Sequence, residues 1–199
     1  MKIAIIGAGA IGSAIARQLA RAGIDASIAN RRGPASLANL ERETAGRIRA
    51  VPVAEAARAD IVFLAVNWST LPEALDGLGP WDGRVLVDAN NPIQAPDFIP
   101  FELGGRTSSE VVAALAPGAR VVKAFNHLQA ALLDANPQAG GGRRVLFLAG
   151  DDAAAKAEVA ELAERLGFAG IDLGGLIDGG RLMQFPGGPL PTLNLLKLG

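Results

Sequence analysis

The chain has 199 residues and a net charge of −1, and half of its residues are hydrophobic, so it has enough apolar material for one domain with a buried core. A charge so close to zero gives no reason to expect a nucleic acid or a membrane surface as a partner. The absence of cysteine excludes disulfides, thiolate metal ligands and a cysteine nucleophile. The single histidine, His127, excludes a metal site built from several histidines, so we expect no metal.

The first predicted element is a short apolar strand that contains Ile3, Ile5 and Ile6. Because it starts at residue 2, it leaves no room for a cleaved signal peptide, and no other apolar run is long enough for a transmembrane helix. We therefore expect a cytoplasmic protein.

A glycine turn with the pattern Gly-x-Gly-x-x-Gly follows this strand, and a helix is predicted from about Ala10 to Ala22. In a dinucleotide-binding turn, the first glycine permits a tight turn, the second lets a pyrophosphate approach the backbone, and the third lets the helix pack closely. The helix N-terminus offers free N–H groups to the phosphates. A glycine turn without a ligand is the alternative, which the strand–helix–strand context disfavours. The predicted contacts are Gly7, Gly9, Ala10, Ile11 and Gly12.

The end of the second predicted strand indicates which dinucleotide binds. An acidic residue there would accept hydrogen bonds from the ribose 2′-hydroxyl of NAD, whereas this chain has Asn30, Arg31 and Arg32. Asparagine does not repel a phosphate, and a guanidinium binds phosphate oxygens with two hydrogen bonds. The three residues therefore predict NADP(H), the alternative being two solvated loop arginines.

Strands and helices continue to alternate along the chain, which predicts a parallel sheet with right-handed crossovers. A long loop is predicted at residues 94–106, and an acidic residue in the first turn of the helix that follows resembles a capping box. The fold class is therefore α/β: a Rossmann-type doubly wound, mainly parallel sheet with a short C-terminal β-α-β extension and a capping tail. The predicted strands lie at 47–50, 60–66, 84–88, 119–125, 145–149 and 168–173, and the predicted helices at 36–45, 52–59, 71–78, 107–115, 127–135 and 153–166.

Three polar segments follow predicted parallel strands, and ligands of such sheets bind beyond the carboxyl ends of the strands. For each segment a structural role stays open beside cofactor binding: Trp68 would only pack a loop, the asparagines would only shape a turn, and a lone turn histidine is often structural. Asparagine amides suit a carboxamide or a ring carbonyl, and His127 could hydrogen-bond a ring or act as an acid or base. The candidate residues are Val66, Asn67, Trp68, Asn90, Asn91, Asn126 and His127.

Residues 1–173 are predicted to form the NADP-binding domain, and residues 174–199 its C-terminal capping tail. The tail is rich in glycine and proline, so it cannot be one long helix. Its apolar residues are expected to be buried against the substrate pocket or a partner subunit, which leaves a homodimer open. They are Leu182, Met183, Phe185, Leu190, Leu193, Leu195 and Leu196.

The whole chain resembles a known family, the NADPH-dependent F-420 oxidoreductases and their bacterial dinucleotide-binding homologues. The segments that carry the resemblance occur in family order at residues 1–7, 30–32, 62–68, 87–92, 121–126, 148–152, 172–175 and 180–182. The resemblance implies hydride transfer between NADP(H) and a small-molecule electron acceptor, either the deazaflavin F-420 or a flavin. It also implies that the acceptor lies against the nicotinamide under the C-terminal segment. Because the cofactors carry such a reaction, no catalytic side chain is expected.

The chain departs from the archaeal deazaflavin-using members, in which the glycine turn is built differently and a His-Thr pair follows the sixth strand. Here Asn126 and His127 occupy the later site, so a flavin, a quinone or a small imine stays open as the acceptor. Two other functions also stay open. One is an NADPH-dependent reductase of a small imine or carbonyl substrate, although the pyrroline-carboxylate reductases have a longer helical C-terminal domain. The other is a non-catalytic NADP-sensing module.

Overall fold

A computed structural model describes residues 1–94 and 96–199 of the chain. One sheet contains nine strands, and two further strands form a separate hairpin. The strands are β1 (Ile3–Ile6), β2 (Ala26–Ala29), β3 (Ile48–Ala50), β4 (Ile61–Leu64), β5 (Val85–Asp88), β6 (Ile93–Gln94), β7 (Ile99–Pro100), β8 (Arg120–Ala124), β9 (Arg143–Gly150), β10 (Ala169–Asp172) and β11 (Leu196–Lys197). The helices are α1 (Ala10–Arg21), α2 (Ala38–Glu43), α3 (Val53–Ala56), α4 (Leu71–Leu75), α5 (Ser108–Leu115), α6 (Ala130–Asp134), α7 (Ala153–Arg165) and α8 (Asp178–Met183).

The main sheet is doubly wound, as the alternation of strands and helices predicts. Its strand order is β10-β9-β8-β5-β4-β1-β2-β3, with β11 paired antiparallel to one end of β9. The strands from β8 to β3 are parallel, β9 runs antiparallel to β8, and β10 runs parallel to β9. The predicted fold class and its β-α-β extension, formed by β9, α7 and β10, are therefore confirmed. The strand order reverses between β4 and β1, which is where sheets of this type bind ligands.

The central strands are buried on both faces, which explains why they are apolar throughout. In β1, Ile3 and Ile5 face one core layer, whereas Ala4 and Ile6 face the other, and none of the four is more than 4% exposed. Helices α1 and α7 cover the first layer, and helices α4 and α5 cover the second. Two apolar layers thus hold the sheet rigid beneath its carboxyl edge.

Several predicted boundaries differ from the structure for local reasons. The helix predicted from residue 127 begins at Ala130, because the His127 carbonyl accepts a hydrogen bond from the Thr192 N–H (2.7 Å) instead of one within a helix. The predicted loop at 94–106 contains part of the hairpin of β6 and β7, whose two-residue strands are too short to leave a sequence pattern. Ala95, within that predicted loop, lies outside the described residues. The capping box of α5 is present, formed by Thr107 and Glu110.

The apolar residues of the tail differ in their burial. Met183 is fully buried, whereas Leu182, Leu193 and Leu195 are 40%, 39% and 43% exposed in the single chain, so their burial against a partner subunit stays a prediction. Backbone hydrogen bonds also hold the tail, including one from the Val145 N–H to the Leu195 carbonyl (2.9 Å). The division of the chain into a domain and a capping tail at residue 173 stays a prediction.

Within residues 1–94 and 96–199, no helix is long and apolar enough to cross a membrane. The longest, α7, has 13 residues.

Candidate functional site

The three glycines of the turn between β1 and α1 meet three different steric demands. Gly7 has a φ of +109°, and a Cβ atom there would lie 2.0 Å from the Ala65 carbonyl oxygen. A Cβ atom at Gly12 would lie 2.0 Å from the Gly7 carbonyl oxygen, so the helix could not pack against the turn. A Cβ atom at Gly9 would meet nothing within 4 Å, because this glycine borders open space. The turn therefore provides a rigid backbone with room for a ligand at its middle glycine.

The N-terminus of α1 faces the same space. Gly9 is its N-cap residue, no side chain caps the helix, and Ala10 is exposed while Ile11 is half-buried. The N–H groups of the first helical turn have no partners within the helix, and the helix dipole is positive at this end. An anionic group beside Gly9 would therefore be stabilised by free N–H donors.

A compact polar turn at the end of β2 presents two arginines. The Asn30 side-chain oxygen accepts a hydrogen bond from the Arg32 N–H (2.9 Å), and its amide nitrogen lies 3.0 Å from the Ser36 hydroxyl. The Ser36 hydroxyl donates to the Gly33 carbonyl (2.7 Å), which closes the turn. Arg31 and Arg32 are exposed, and neither forms an ion pair with the part of the chain that the structure describes. Asn30 thus shapes the turn and leaves both guanidinium groups available to a ligand.

A first cavity of about 630 Å³ joins the glycine turn to these arginines. It lies on the side of β1 where β2 and α3 are found, and it has guanidinium groups on one wall and the first residues after β4 on another. Its lining residues are Ile6, Gly7, Ala8, Gly9, Asn30, Arg31, Arg32, Val53, Ala54, Ala65, Val66, Asn67, Thr70, Glu73, Ala74, Asp76, Gly77 and Leu78.

A second cavity of about 590 Å³ lies on the other side of the glycine turn. Gly9, Ala65, Val66 and Asn67 line both cavities, so the two form one crevice that crosses the point where the strand order reverses. The other residues of the second cavity are Ala10, Ile11, Trp68, Ala89, Asn90, Asn91, Ile93, Phe98, Asn126, His127, Leu128, Gln129, Ala130, Phe185, Pro191 and Thr192. The three polar segments predicted to share one edge of the sheet therefore do line one cavity.

Trp68 has the structural role that the sequence leaves open and also borders the second cavity, and its role in cofactor binding stays a prediction. It lines the second cavity, and it is only 7% exposed because it packs in the core layer that contains Leu71 and Leu75. Asn67, directly before it, is exposed and borders both cavities. The end of β4 therefore provides a fixed apolar wall with one free amide.

The other asparagines bind mainly to protein groups. Asn91 and Asn126 are joined by two hydrogen bonds, of 2.8 Å and 2.9 Å, and Asn126 also donates to the Met183 carbonyl (2.6 Å). The Asn91 side-chain oxygen accepts a further hydrogen bond from the Phe185 N–H (3.0 Å). These contacts attach the tail to the ends of β5 and β8. Among the described residues, the Asn126 side-chain oxygen is buried and has no hydrogen-bond partner.

His127 borders the second cavity, but its ring packs against Phe147 of β9 at 4.9 Å between centroids. Burial lowers the pKa of His127 to about 4, and the nearby Val145 carbonyl opposes this shift only in part. The ring is therefore neutral near pH 7. Neither ring nitrogen has a well-aligned hydrogen-bond partner within the described ranges. A neutral, buried imidazole could donate or accept one hydrogen bond, but it does not readily take up a proton near pH 7.

An aromatic pair at the second cavity was not predicted from the sequence. Phe98, from the hairpin of β6 and β7, lies 6.2 Å from Phe185 of the tail in an edge-to-face arrangement. Phe98 is 59% exposed. Pro191 and Thr192 of the tail also line the cavity. No periodicity singles out these residues, and the only signal was the expectation that the tail caps a pocket.

Several known proteins are similar to this chain in sequence and in structure. Residues 2–92 match the sequence profile of a family described as NADP oxidoreductase coenzyme F420-dependent. A hypothetical protein from Sinorhizobium meliloti has a solved structure with 50% sequence identity and a TM-score of 0.94, and the alignment covers 99% of this chain and 96% of that one. A candidate F420-dependent NADP reductase from Arthrobacter sp. FB24 is 32% identical with a TM-score of 0.74, and the alignment covers 88% and 86% of the two chains.

More distant relatives differ in length. The metalloreductase STEAP3 of Rattus norvegicus is 32% identical over 207 residues, which cover 99% of this chain and 40% of the rat protein. The chain thus spans less than half the length of this relative. An imine reductase from Aspergillus terreus has a TM-score of 0.64 at 20% identity, covering 90% of this chain and 56% of that one, a likeness that shows the fold alone.

The family profile covers the glycine turn, the arginine turn and the strands β1 to β5, and the Arthrobacter structure extends the similarity over most of both chains. The chain therefore belongs to the family of coenzyme F420-dependent NADP oxidoreductases.

Proposed function

We propose that this chain transfers a hydride between NADPH and a planar acceptor of the deazaflavin or flavin type. The observation that carries the proposal is the contrast between the two halves of the crevice. Arg31 and Arg32, which form no ion pair within the described residues, line the first cavity together with Glu73 and Asp76, whereas the described lining of the second cavity has no charged side chain. The first half suits a nucleotide phosphate, and the second suits two uncharged rings.

The first half fits the adenosine and phosphate part of NADP(H). The open space at Gly9 and the free N–H groups of α1 suit the pyrophosphate. Arg31 and Arg32 suit the 2′-phosphate, because guanidinium groups bind phosphate oxygens in pairs and have no competing carboxylate partner among the described residues. Gly9, Val66 and Asn67, which line both cavities, are where the dinucleotide would cross into the second half.

The second half suits the nicotinamide and a flat acceptor. Its volume of about 590 Å³ lies within the range of small-molecule sites, and its described lining has no charged side chain. When bound, NADPH supplies a hydride from its nicotinamide ring, and the acceptor ring takes that hydride together with a proton from solvent. The residues of the chain would hold the two rings against each other, which is the contribution that such chemistry needs from a protein.

The second cavity gives less support to a reductase of small imines or carbonyl compounds. The carbon of a small imine or carbonyl compound has to be activated by a group that protonates its nitrogen or oxygen as the hydride arrives, whereas a flavin-type ring accepts a hydride without that activation and can take its proton from solvent. His127 is the one titratable residue in the described lining, and its pKa is lowered to about 4, so it carries no proton to give as an imidazolium near pH 7. We therefore propose hydride transfer between two cofactors, in which no side chain of the protein acts as the acid.

The proposal is tested by mixing the purified chain anaerobically with NADPH and, in separate reactions, F-420, FMN and FAD. The loss of the nicotinamide absorbance measures the rate. We expect turnover with at least one of the three acceptors and none when the protein is omitted. Binding of NADPH without turnover with any of the three would contradict the proposal and favour a non-catalytic NADP-sensing module.

A further inference from the structure

A buried ion pair lies in the centre of the sheet, behind the second cavity. Lys123 of β8 and Asp88 of β5 are direct neighbours in the register of these parallel strands. The Lys123 ammonium group lies 3.0 Å from the Asp88 carboxylate, and both side chains are fully buried. Neither residue belongs to the described lining of the first or the second cavity.

The ion pair holds one turn of backbone from both sides. Lys123 donates a second hydrogen bond to the Asn90 carbonyl (2.8 Å). The Asp88 carboxylate accepts hydrogen bonds from the Asn90 N–H (3.0 Å) and from the Asn90 side-chain amide (2.9 Å). Ser109 of α5 donates to the same carboxylate (2.7 Å). The backbone N–H, the backbone carbonyl and the side-chain amide nitrogen of Asn90 are thus all hydrogen-bonded to the ion pair.

Asn90 also connects the ion pair to the wall of the second cavity. Its side-chain oxygen accepts a hydrogen bond from the Val66 N–H (2.8 Å), so the residues after β4 and after β5 are linked. Val66, Asn90 and the adjacent Asn91 all line the second cavity. The ion pair therefore sets the position of two of the three strand ends that form this wall.

Stability alone does not explain the presence of these charges. Removing a carboxylate and an ammonium group from water is costly, and apolar residues of similar volume often give an equally stable or more stable core. The neighbours of Lys123 on its strand, Val122 and Ala124, are fully buried apolar residues. A lysine at this position is thus better explained by the hydrogen bond that only it can donate to the Asn90 carbonyl.

We propose that Asp88 and Lys123 are positioning residues, which fix the Val66–Asn90 wall so that the second cavity accepts the nicotinamide of NADPH. This inference rests on the proposed use of NADPH. It adds that the affinity for the nicotinamide half depends on a buried ion pair outside the described lining of both cavities.

The test compares the wild type with the double variant Asp88→Asn/Lys123→Met. The asparagine keeps an oxygen to accept from Asn90, and the methionine fills the space of the lysine stem, so both charges and the bond to the Asn90 carbonyl are removed without leaving one charge unpaired. The matched control is Arg120→Met, which removes the other charged side chain of β8 at the opposite end of the strand, where it pairs with Asp152 and Glu158. Ser109→Ala is a milder second variant, which removes one hydrogen bond from the network.

Calorimetry then measures the dissociation constants of NADPH and of adenosine 2′,5′-bisphosphate, the part of NADPH that the proposed function assigns to the first cavity. We expect the double variant to bind NADPH about tenfold more weakly, with the fragment affinity changed less than twofold, and Ser109→Ala to show a smaller loss of the same selectivity. The control should bind both ligands as the wild type does.

Unchanged NADPH affinity in the double variant would overturn the inference. An equal loss for NADPH and for the fragment would also overturn it, because it would indicate a general structural role. If the double variant does not fold, the selectivity of Ser109→Ala decides in the same way. The proposed function fails separately, namely if the wild type binds neither ligand or binds NADPH without any turnover.

Discussion

Arg31 and Arg32 give the choice between NADPH and NADH a direct test through the double variant Arg31→Ala/Arg32→Ala. Both side chains are exposed on the wall of the first cavity and make no ion pair within the described residues. Replacing them by alanine therefore breaks no ion pair in that part of the chain. A hydrogen bond to a charged group contributes about 1.5–3 kcal/mol. Because these sites are exposed, we take the lower value for each arginine, which gives about 3 kcal/mol for the pair.

A loss of about 3 kcal/mol corresponds to roughly a hundredfold weaker binding. We therefore expect the variant to bind NADPH about a hundredfold more weakly, while its affinity for NADH, which lacks the 2′-phosphate, changes less than threefold. Calorimetric titration of both cofactors measures this difference. The matched control is Arg47→Ala/Arg49→Ala, which removes the same charge from exposed residues outside both cavities. Equal losses for NADPH and NADH would refute the assignment of the 2′-phosphate to these arginines.

Three further predictions concern the glycine turn, the buried histidine and the mouth of the second cavity. Gly9→Ala should fold normally yet bind NADPH more weakly, because its Cβ atom enters open space, whereas Gly12→Ala should lower the melting temperature because its Cβ atom meets the Gly7 carbonyl oxygen at 2.0 Å. The folded-state pKa of His127, about 4, lies below its ordinary 6.5, so the unfolded chain binds the proton more tightly. The stability that His127 contributes should therefore fall by up to about 3 kcal/mol as the pH decreases from 6.5 to 4. Denaturant unfolding of His127→Phe should lack this part of the pH dependence, and identical pH profiles would contradict the burial of a neutral ring. Phe98→Ala should raise the KM for the acceptor severalfold and leave the NADPH dissociation constant unchanged; an equal change in both would show that Phe98 does not separate the two ligands.

Local chemistry made the nucleotide half of the site predictable. A glycine that has a carbonyl oxygen 2.0 Å from its missing Cβ atom leaves a signature in the sequence, because few other residues fit there. The fold was predictable for a related reason, since strands buried on both faces are apolar throughout and alternate with helices. The shared edge of Asn67, Asn91 and Asn126 followed from the parallel sheet, although their cofactor-binding role stays a prediction.

The hydrogen-bond partners in the second half could not be predicted from the sequence. The bonds between Asn91 and Asn126 and the packing of His127 on Phe147 depend on how β8, β9 and the tail meet, which no local pattern encodes. The expectations of a homodimer, of a small-molecule acceptor and of no nucleic-acid or membrane partner stay predictions.

The most direct test of the central claim is a crystal structure of the chain with bound NADPH. We expect the 2′-phosphate beside Arg31 and Arg32, the pyrophosphate beside Gly9, and the nicotinamide in the second cavity with one face open to an acceptor near Phe98. A nicotinamide outside the second cavity, or a 2′-phosphate away from both arginines, would contradict this account.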